Sequence, residues 1–151
     1  MNQLKIEVSK IINASPVDIY AVMSDYRVGH PAILPKPYFS KLAVVQGGQG
    51  AGTVIEVHMD VYGTKRVFHQ LVSEPEPGRV LMETDAHAGV TTTFTVDPVG
   101  DGSQSQVTIS TERRLRRGIQ GYFERLFNLL ILRPIYKQEL ERLAEYVQHG
   151  L

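Results

Sequence analysis

The chain contains no cysteine and no tryptophan among its 151 residues, and its positive and negative side chains balance. Without cysteine there is no disulfide framework, no thiolate nucleophile and no cysteine-ligated zinc or iron–sulfur centre. With 16 Lys plus Arg against 16 Asp plus Glu, the formal net charge is zero, so no global field draws the chain to nucleic acid or to an acidic membrane. Contact with a membrane would need a local patch, and no nucleic-acid partner is predicted.

The sequence also lacks repeats, low-complexity runs and Ser/Gly-rich linkers, so residues 1–151 are predicted to form one domain. Its 42% hydrophobic and 21% charged residues are typical of a globular protein, which at this length removes roughly 70% of the unfolded surface from water. The amino-terminal segment MNQLKIEVSK has no basic region followed by an apolar core, as a signal peptide would have. A cytoplasmic location is the resulting expectation.

The first part of the chain predicts one strand followed by short helices. In residues 3–13, apolar and polar side chains alternate with the period of a half-buried strand. Ser15 and Pro16 then supply an N-cap hydroxyl and a first-turn proline, which predicts a short helix ending at about Met23. A second short helix or turn is predicted at residues 25–30, because the prolines that follow prevent it from growing.

The rest of the chain predicts antiparallel strands and one long helix. Six runs rich in Val, Ile, Thr and Phe lie between turn signals in residues 39–111, which is typical of a meander. In residues 119–148, large apolar side chains recur at three- and four-residue spacing, which predicts a long amphipathic helix. Pro134 removes one backbone donor and predicts a kink, and Gly150 occupies the position expected for a C-terminal cap.

Four segments carry a resemblance to a known family. ASPVDIYAVMSDY at 14–26 resembles the Ala-Ser-Pro, helix, Asp-Tyr/Phe opening of bacterial START-like (SRPBCC) proteins, which include polyketide cyclase/dehydrase and lipid-transport-like members. GQGAGT at 48–53 is similar to the glycine-rich start of their third strand, and LVSEPEPGR at 71–79 to their V-x-E-x-x-P-G-R turn. LERL at 140–143 resembles their closing L-x-x-L. The resemblance spans nearly the whole chain and identifies a fold more specifically than a reaction.

The resemblance implies an α+β helix-grip fold, in which a seven-stranded antiparallel sheet wraps around a long C-terminal helix and two short helices follow strand 1. It also implies a hydrophobic cavity between sheet and helix. The family uses this cavity for lipid or isoprenoid binding, for polyketide cyclisation and aromatisation, and for chaperone or hormone sensing. Many relatives carry a tryptophan after the second short helix, whereas residues 30–35 read HPAILP here.

The register of the hairpin at Tyr62-Gly63 decides which side chains face the long helix. A loop with an odd number of residues joins two mainly apolar faces, and we prefer this register because it leaves the charged side chains outside. The side chains that would then share the inner face are Ile55, Val57, Met59, Val67, His69 and Leu71. A loop with an even number of residues would instead place Arg66, Phe68 and Gln70 beside the first three.

His69 is the polar side chain that the preferred register turns inward. A packing role among aliphatic side chains is favoured for it, and the functional alternatives are an anchor for a ligand carbonyl or hydroxyl, or a proton carrier. His58, His69 and His87 lie on neighbouring segments, but their spacing matches no metal-ligand motif, and the preferred register separates the first two. No metal and no cofactor is predicted.

Two segments near the long helix have an unusual composition. Residues 112–117, ERRLRR, are densely charged, and solvated charge is favoured over contact with an anionic head group or an acidic partner. The arginines of this run are Arg113, Arg114, Arg116 and Arg117. Residues 126–132, LFNLLIL, are apolar nearly all round, which favours burial over a dimer contact or a transient membrane contact. Monomer and homodimer both stay open.

Catalysis has no signature in this sequence, because there is no nucleophile elbow and the inward strand positions carry almost no carboxylates. No catalytic residue is assigned, and the leading hypothesis is binding or carriage of a lipid, isoprenoid quinone or polyketide-like molecule. A cyclase, aromatase or dehydratase using His69, Tyr122 or Tyr136 for proton transfer is one alternative, and an interaction protein using residues 113–117 is another. The predicted cavity residues are Ile33, Leu34, Ile55, Val57, Met59, Val67, His69, Leu71, Phe94, Val96, Ile109, Thr111, Tyr122, Leu126, Leu129 and Tyr136.

Overall fold

The computed structural model describes residues 3–149 and contains seven strands and four α-helices within that range. The strands are β1 (Gln3–Ile12), β2 (Phe39–Gln46), β3 (Val54–Val61), β4 (Thr64–Glu76), β5 (Val80–Asp85), β6 (Val90–Val99) and β7 (Gln104–Arg114). The helices are α1 (Pro16–Ser24), α2 (Gly29–Ile33), α3 (Ile119–Phe127) and α4 (Arg133–His149). A π-helical segment (Asn128–Leu132) joins α3 to α4, so the last three elements form one long C-terminal helix.

The strands form an antiparallel sheet with the spatial order β1-β7-β6-β5-β4-β3-β2, so each strand from β2 to β6 pairs with its successor. The meander leaves β7 with one free edge, and β1 pairs along that edge from Gln3 to Ile12. The inward side chains of β1, β6 and β7 form the core with α1, α2 and α4. The α+β helix-grip fold and the meander are therefore confirmed.

The first two helices differ in how well the sequence predicts them. The Ser15 hydroxyl accepts a hydrogen bond from a backbone N–H of the first turn of α1 at 3.3 Å, and Pro16 opens the helix as predicted. α2 begins at Gly29, later than expected. The Asp25 carboxylate accepts hydrogen bonds from the backbone N–H groups of residues 27–29 at 3.1 to 3.4 Å, which stabilises an irregular turn before the helix.

The preferred register of the β3–β4 hairpin is wrong. Val61 pairs with Thr64 across a two-residue loop, which is the even-numbered alternative. Tyr62 and Gly63 have positive φ angles of 51° and 87°, as both central residues of a type I′ turn do, and this turn matches the twist of the flanking strands. The inner-face pairs that result are Ile55 with Gln70, Val57 with Phe68 and Met59 with Arg66.

The C-terminal helix changes character along its length. α4 is packed on the sheet through Ile135, Tyr136, Glu139, Leu140, Leu143 and Ala144, which are all buried. α3 buries only Gly121. The π-helical segment ends directly before α4, whose second residue is Pro134, so the regular ladder is interrupted where the proline predicts it. The bend of the helix axis stays a prediction, and the predicted cap at Gly150 lies outside the described residues.

Candidate functional site

A cavity of about 370 Å³ lies between the inner face of the sheet and the C-terminal helix. All strands from β2 to β7 contribute to its walls, and the C-terminal helix closes it from the other side. Its volume and its mainly apolar walls are those of a small-molecule site. The apolar lining side chains are Leu34, Phe39, Leu42, Val57, Met59, Val61, Phe68, Val90, Phe94, Phe123, Phe127 and Leu132.

The structure places the predicted cavity residues in three groups. Six of them line the cavity, and these are Leu34, Val57, Met59, Phe94, Thr111 and Tyr136. Four are buried in the core without lining the cavity, and these are Ile33, Ile55, Val96 and Ile109. The remaining six face away from it.

Val67, His69 and Leu71 face away because the hairpin has the even-numbered register. The side chain of His69 is 67% exposed, so it cannot serve as the inward anchor or proton carrier that the sequence suggested. Arg66, Phe68 and Gln70 occupy the inner face instead. The apolar pattern misled because this part of the sheet lies over an open cavity with polar groups in its wall, rather than over a filled core.

Tyr122, Leu126 and Leu129 are exposed because the π-helical segment changes the phase between α3 and α4. The exposed fractions are 65%, 42% and 40%, respectively. A π-helical turn contains more residues than an α-helical one, so a single α-helical period does not run through both helices. Phe123, Glu124 and Phe127 are the α3 side chains that line the cavity.

Glu83 lies at the centre of a buried polar cluster in the cavity wall. Its Oε2 accepts a hydrogen bond of 2.6 Å from the hydroxyl of Tyr26 and lies 3.3 Å from Nε2 of His30. Nδ1 of His30 is 2.7 Å from the carbonyl oxygen of Met23, which can only accept, so this nitrogen carries a proton. The ring of Tyr26 stacks on that of His30, and burial, followed by the charge of Glu83, raises the pKa of Tyr26.

Glu139 reaches the same cavity from α4 and is 2% exposed. Its Oε2 is buried and has no hydrogen-bond partner within residues 3–149. Desolvation, followed by the nearby Glu83 carboxylate, raises the pKa of Glu139 well above its usual range. Both effects favour the neutral acid form of Glu139, which can donate a hydrogen bond to a molecule in the cavity.

Tyr136 lies one helical turn before Glu139 and is held by two threonines. The Thr111 hydroxyl donates to the Tyr136 oxygen at 2.8 Å, and Thr92 lies 2.9 Å from Thr111. Burial raises the pKa of Tyr136 to about 12, so the phenol is neutral. Since its oxygen accepts from Thr111, the hydroxyl proton of Tyr136 is available to a ligand.

Arg66 and Arg113 place two basic side chains in the cavity wall, in contrast to the carboxyl groups of Glu83 and Glu139. Both arginines also line a second groove between β4, the β5–β6 turn and the end of β7, so the cavity opens towards this groove. Nη1 of Arg113 donates to Oδ1 of Asn128 at 3.3 Å, and Asn128 in turn donates to the backbone oxygen of Glu124 at 2.6 Å. The predicted surface patch thus loses Arg113, which faces inward.

The other arginines of the predicted patch remain outside the cavity. Arg114, Arg116 and Arg117 are exposed, as solvated charges would be. The backbone N–H of Arg116 donates to the Glu124 carboxylate at 2.9 Å, which ties α3 to the segment before it. No helix within residues 3–149 is long and apolar enough to cross a membrane.

The side chains of Glu56, His58 and His69 form a cluster on the outer face of the sheet. The prediction that His58 and His69 face opposite sides of the sheet is therefore wrong. Nε2 of His58 lies 2.6 Å from Oε1 of Glu56, and Nδ1 of His69 lies 3.7 Å from Oε2. The hydrogen bond with His58 lowers the pKa of the Glu56 carboxyl. In the part of the chain that the structure describes, no group of three or more His, Cys, Asp or Glu side chains is placed to hold a metal ion.

The buried carboxyl pair of Glu83 and Glu139 was missed, and the expectation of almost no inward carboxylates is wrong. Along β5, Leu81, Glu83 and Asp85 are buried while their neighbours are less so, which is the same period-two signal that was used for β1. Glu139 falls within the apolar spacing of α4, between Tyr136 and the leucines that follow. In each element, a glutamate at a position where the pattern predicts an apolar residue was the signal that could have identified a buried carboxyl group.

Comparisons with known proteins agree with the fold. A family profile described as "Polyketide cyclase / dehydrase and lipid transport" matches residues 3–148. The KanY protein (ms6282), solved by NMR in solution, is 33% identical, with a TM-score of 0.84 over 98% of this chain and 99% of that one. The Zhui aromatase/cyclase from Streptomyces sp. R1128 is 15% identical, with a TM-score of 0.76 and coverage of 97% and 94%.

A START superfamily protein from Mycobacterium smegmatis has the same fold at 13% identity, with a TM-score of 0.70 over 97% of this chain and 99% of that one. Among curated proteins, no sequence matches this chain at a significant level.

Proposed function

The chain belongs to the polyketide cyclase/dehydrase and lipid-transport family of START-like proteins, and we propose that its cavity binds a small, mainly hydrophobic molecule carrying a hydrogen-bonding oxygen. The observation that carries this proposal is the buried, unpartnered oxygen of Glu139 in a mainly apolar cavity wall. Polyketide-like ring systems, isoprenoid quinones and lipids with a carbonyl or hydroxyl all combine an apolar body with such an oxygen.

Desolvation supplies most of the binding free energy in this proposal. A ligand that buries roughly 300 Å² of apolar surface gains about 7 kcal/mol at 25 cal/mol per Å², before the entropy of association is subtracted. One hydrogen bond from Glu139 or Tyr136 adds about 1 kcal/mol and selects ligands whose oxygen lies at the matching position. The polar groups therefore determine specificity rather than the bulk of the affinity.

Two measurements test the binding proposal. Native mass spectrometry of freshly purified protein would detect a retained hydrophobic compound directly. Titration with 2-acetylnaphthalene and 2-ethylnaphthalene, followed by calorimetry, compares a ligand that has a carbonyl with one of similar shape that lacks it. Glu139→Leu is expected to weaken binding of the ketone several-fold relative to the hydrocarbon, because it removes the donor and keeps an apolar side chain.

Glu141→Leu is the matched control, because Glu141 lies on the same helix but is exposed. This variant should retain the wild-type ratio of the two affinities. Binding of neither probe, or an unchanged ratio in Glu139→Leu, would count against the proposal.

The raised pKa of Glu139, together with its position in the cavity wall, favours a second candidate function, an enzyme of the dehydratase or cyclase type. A carboxylic acid that stays protonated at neutral pH is suited to general acid catalysis. In a dehydration, Glu139 would protonate a leaving hydroxyl while Glu83 removes a proton from the adjacent carbon. The C–O and C–H bonds break, a C=C bond forms, water leaves, and the proton on Glu83 returns to Glu139.

The β-hydroxy ketone 4-hydroxy-4-(2-naphthyl)butan-2-one distinguishes this enzyme from a carrier, because its dehydration gives a conjugated enone with a new near-ultraviolet absorption. An enzyme would accelerate this reaction above the buffer rate. Glu139→Gln still donates a hydrogen bond but cannot transfer a proton, so turnover should fall roughly 100-fold with little change in affinity for 2-acetylnaphthalene. A rate equal to that of buffer would leave the carrier as the function.

A further inference from the structure

Two arginine side chains project into the cavity from strands that do not pair with each other. Arg66 lies on β4 opposite Met59, and Arg113 lies on β7 opposite Val90. Because β5 ends at Asp85, the first half of β4 has no neighbour on that side, and the resulting opening lies between the two arginines and the outer groove. A molecule in the cavity would therefore meet both guanidinium groups at the mouth.

Neither arginine is neutralised by the protein. Within residues 3–149, no carboxylate lies within ion-pair distance of Arg66 or Arg113. Nε of Arg113 is buried and makes no hydrogen bond. Burial, followed by repulsion from Arg66, lowers the pKa of the Arg113 guanidinium. Two like charges held together with an unused donor in a partly buried site favour binding of an opposite charge.

Glu124 does not supply that charge. Its side chain lines the same region, and its carboxylate offsets part of the repulsion at Arg113. Its Oε1, however, accepts a hydrogen bond from the backbone N–H of Arg116, which holds it beyond ion-pair distance from the two guanidinium groups. The buried Nε of Arg113 thus remains without a partner.

We propose that the ligand is an amphipathic acid whose anionic oxygen group, a carboxylate or a phosphate, binds between Arg66 and Arg113. This inference rests on the proposed binding function. The guanidinium fork presents paired N–H donors that match either group. The orientation follows from charge, because the Glu83 carboxylate repels an anion, whereas the neutral acid form of Glu139 can donate a hydrogen bond to a carbonyl or hydroxyl. The apolar body then lies along Val57, Phe68 and Phe94.

Displacement of 1-aminoanthracene, a neutral aromatic fluorophore, tests the proposal. The competing probes are decanoate, decyl phosphate and decanol, which share one apolar chain and are used below the concentrations at which they form micelles. The variants are Arg113→Gln and Arg66→Gln, each of which removes one positive charge and keeps a polar side chain. Arg133→Gln is the control, because Arg133 is exposed on α4 and does not line the cavity.

The expected result is a loss of about tenfold in affinity for decanoate or decyl phosphate in each cavity variant, with decanol unchanged. Arg133→Gln should bind all three probes as the wild type does. The probe that loses more affinity identifies the source of the anionic group. Arg66→Gln keeps the test decisive if Arg113→Gln unfolds, because Arg66 is exposed at the mouth.

Three results would overturn the inference, and they have different meanings. If 1-aminoanthracene and decanol bind but the anionic probes lose nothing in the cavity variants, the anion site is wrong and the binding function stands. If no probe binds the wild type, both the binding function and the anion site fail. An equal loss in Arg133→Gln would show that general surface charge, and not the cavity pair, attracts the anions.

Discussion

α4 and α3 belong to one long helix, yet α4 contributes six buried residues and α3 only Gly121. α4 places Leu140 and Leu143 in the core, each 1% exposed, whereas Ile119 of α3 is 75% exposed. The sheet therefore grips α4, and α3 covers the cavity with two phenylalanines. The difference teaches that the two functions of this helix are separable, because stability depends on α4 and access to the cavity depends on α3.

The largest expected effect tests whether α4 carries the stability. Leu140→Ala should lower the free energy of unfolding by about 2–5 kcal/mol, because it removes a fully buried side chain and leaves a cavity. Leu130→Ala, the matched change at a position that is 63% exposed, should cost less than about 0.5 kcal/mol. Urea denaturation of both variants measures the difference. Equal losses would remove the contrast between buried and exposed parts of the helix.

The pH dependence of stability gives a second test on α4. The raised pKa of Glu139 means that the folded state keeps a proton which the unfolded state loses above about pH 4.3. Its contribution to stability is therefore complete below that pH and is lost as the pH rises, by up to about 1.4 kcal/mol per pH unit.

Glu139→Gln removes this titration and keeps the side-chain volume. Relative to the wild type, the variant should gain stability between about pH 5 and pH 8. Urea midpoints measured across that range provide the comparison. A constant difference between the two proteins would mean that Glu139 is ionised in the folded state.

A smaller loss of stability is expected from a substitution at Gly121, the buried residue of α3. A Cβ atom at Gly121 would collide with the backbone oxygen of Arg116, so Gly121→Ala must move α3. Because α3 buries so little else, global stability should fall by less than about 1 kcal/mol. Amide hydrogen exchange should nevertheless accelerate in α3 and remain unchanged in α4. A large loss of global stability would show that α3 is part of the cooperative core.

The smallest effect on stability is expected from replacement of the exposed arginines, because their side chains are solvated rather than packed. Residues 112–133 contain six arginines and two glutamates, a net charge of +4 in a chain whose formal net charge is zero. Together with the exposed apolar side chains of α3, this charge is complementary to an anionic membrane surface. Replacing Arg114, Arg116 and Arg117 with Gln should abolish salt-sensitive binding to phosphatidylserine-containing vesicles and leave the melting temperature unchanged.

The control for vesicle binding removes the same charge elsewhere. Lys5, Lys10 and Lys41 are exposed on the edge strands, and their replacement with Gln should leave vesicle binding close to that of the wild type. A wild-type protein that fails to bind at low ionic strength would exclude the membrane contact altogether.

Element type and order follow from the sequence because they depend on local patterns. The alternation in β1, the Ser15 cap and the turn signals each act over a few residues, and all three appear in the structure. The register at Tyr62-Gly63 does not follow, because a type I′ turn with tyrosine at its first position carries little sequence signal. A change of one residue in that loop moved His69 out of the cavity wall and Arg66 into it.

The polar half of the site was less predictable for a different reason. Glu83 and Glu139 are far apart in sequence, and each looks like an isolated exception within an apolar pattern. Their meaning depends on a tertiary contact, because the charge of one raises the pKa of the other. Spacing along one element cannot reveal such a pair, although the burial of each residue could be read from its own pattern.

The π-helical segment Asn128–Leu132 determines the angle about the helix axis at which the side chains of α3 point relative to those of α4. Each α-helical residue advances the chain by about 100° around the axis, so one inserted or deleted residue turns everything before it by that angle relative to α4. A deletion within this segment would swing Phe123 and Phe127 away from the cavity and bring other α3 side chains over it. Rotation of one short helix would thus change ligand preference, while the sheet and α4 keep their contacts with each other.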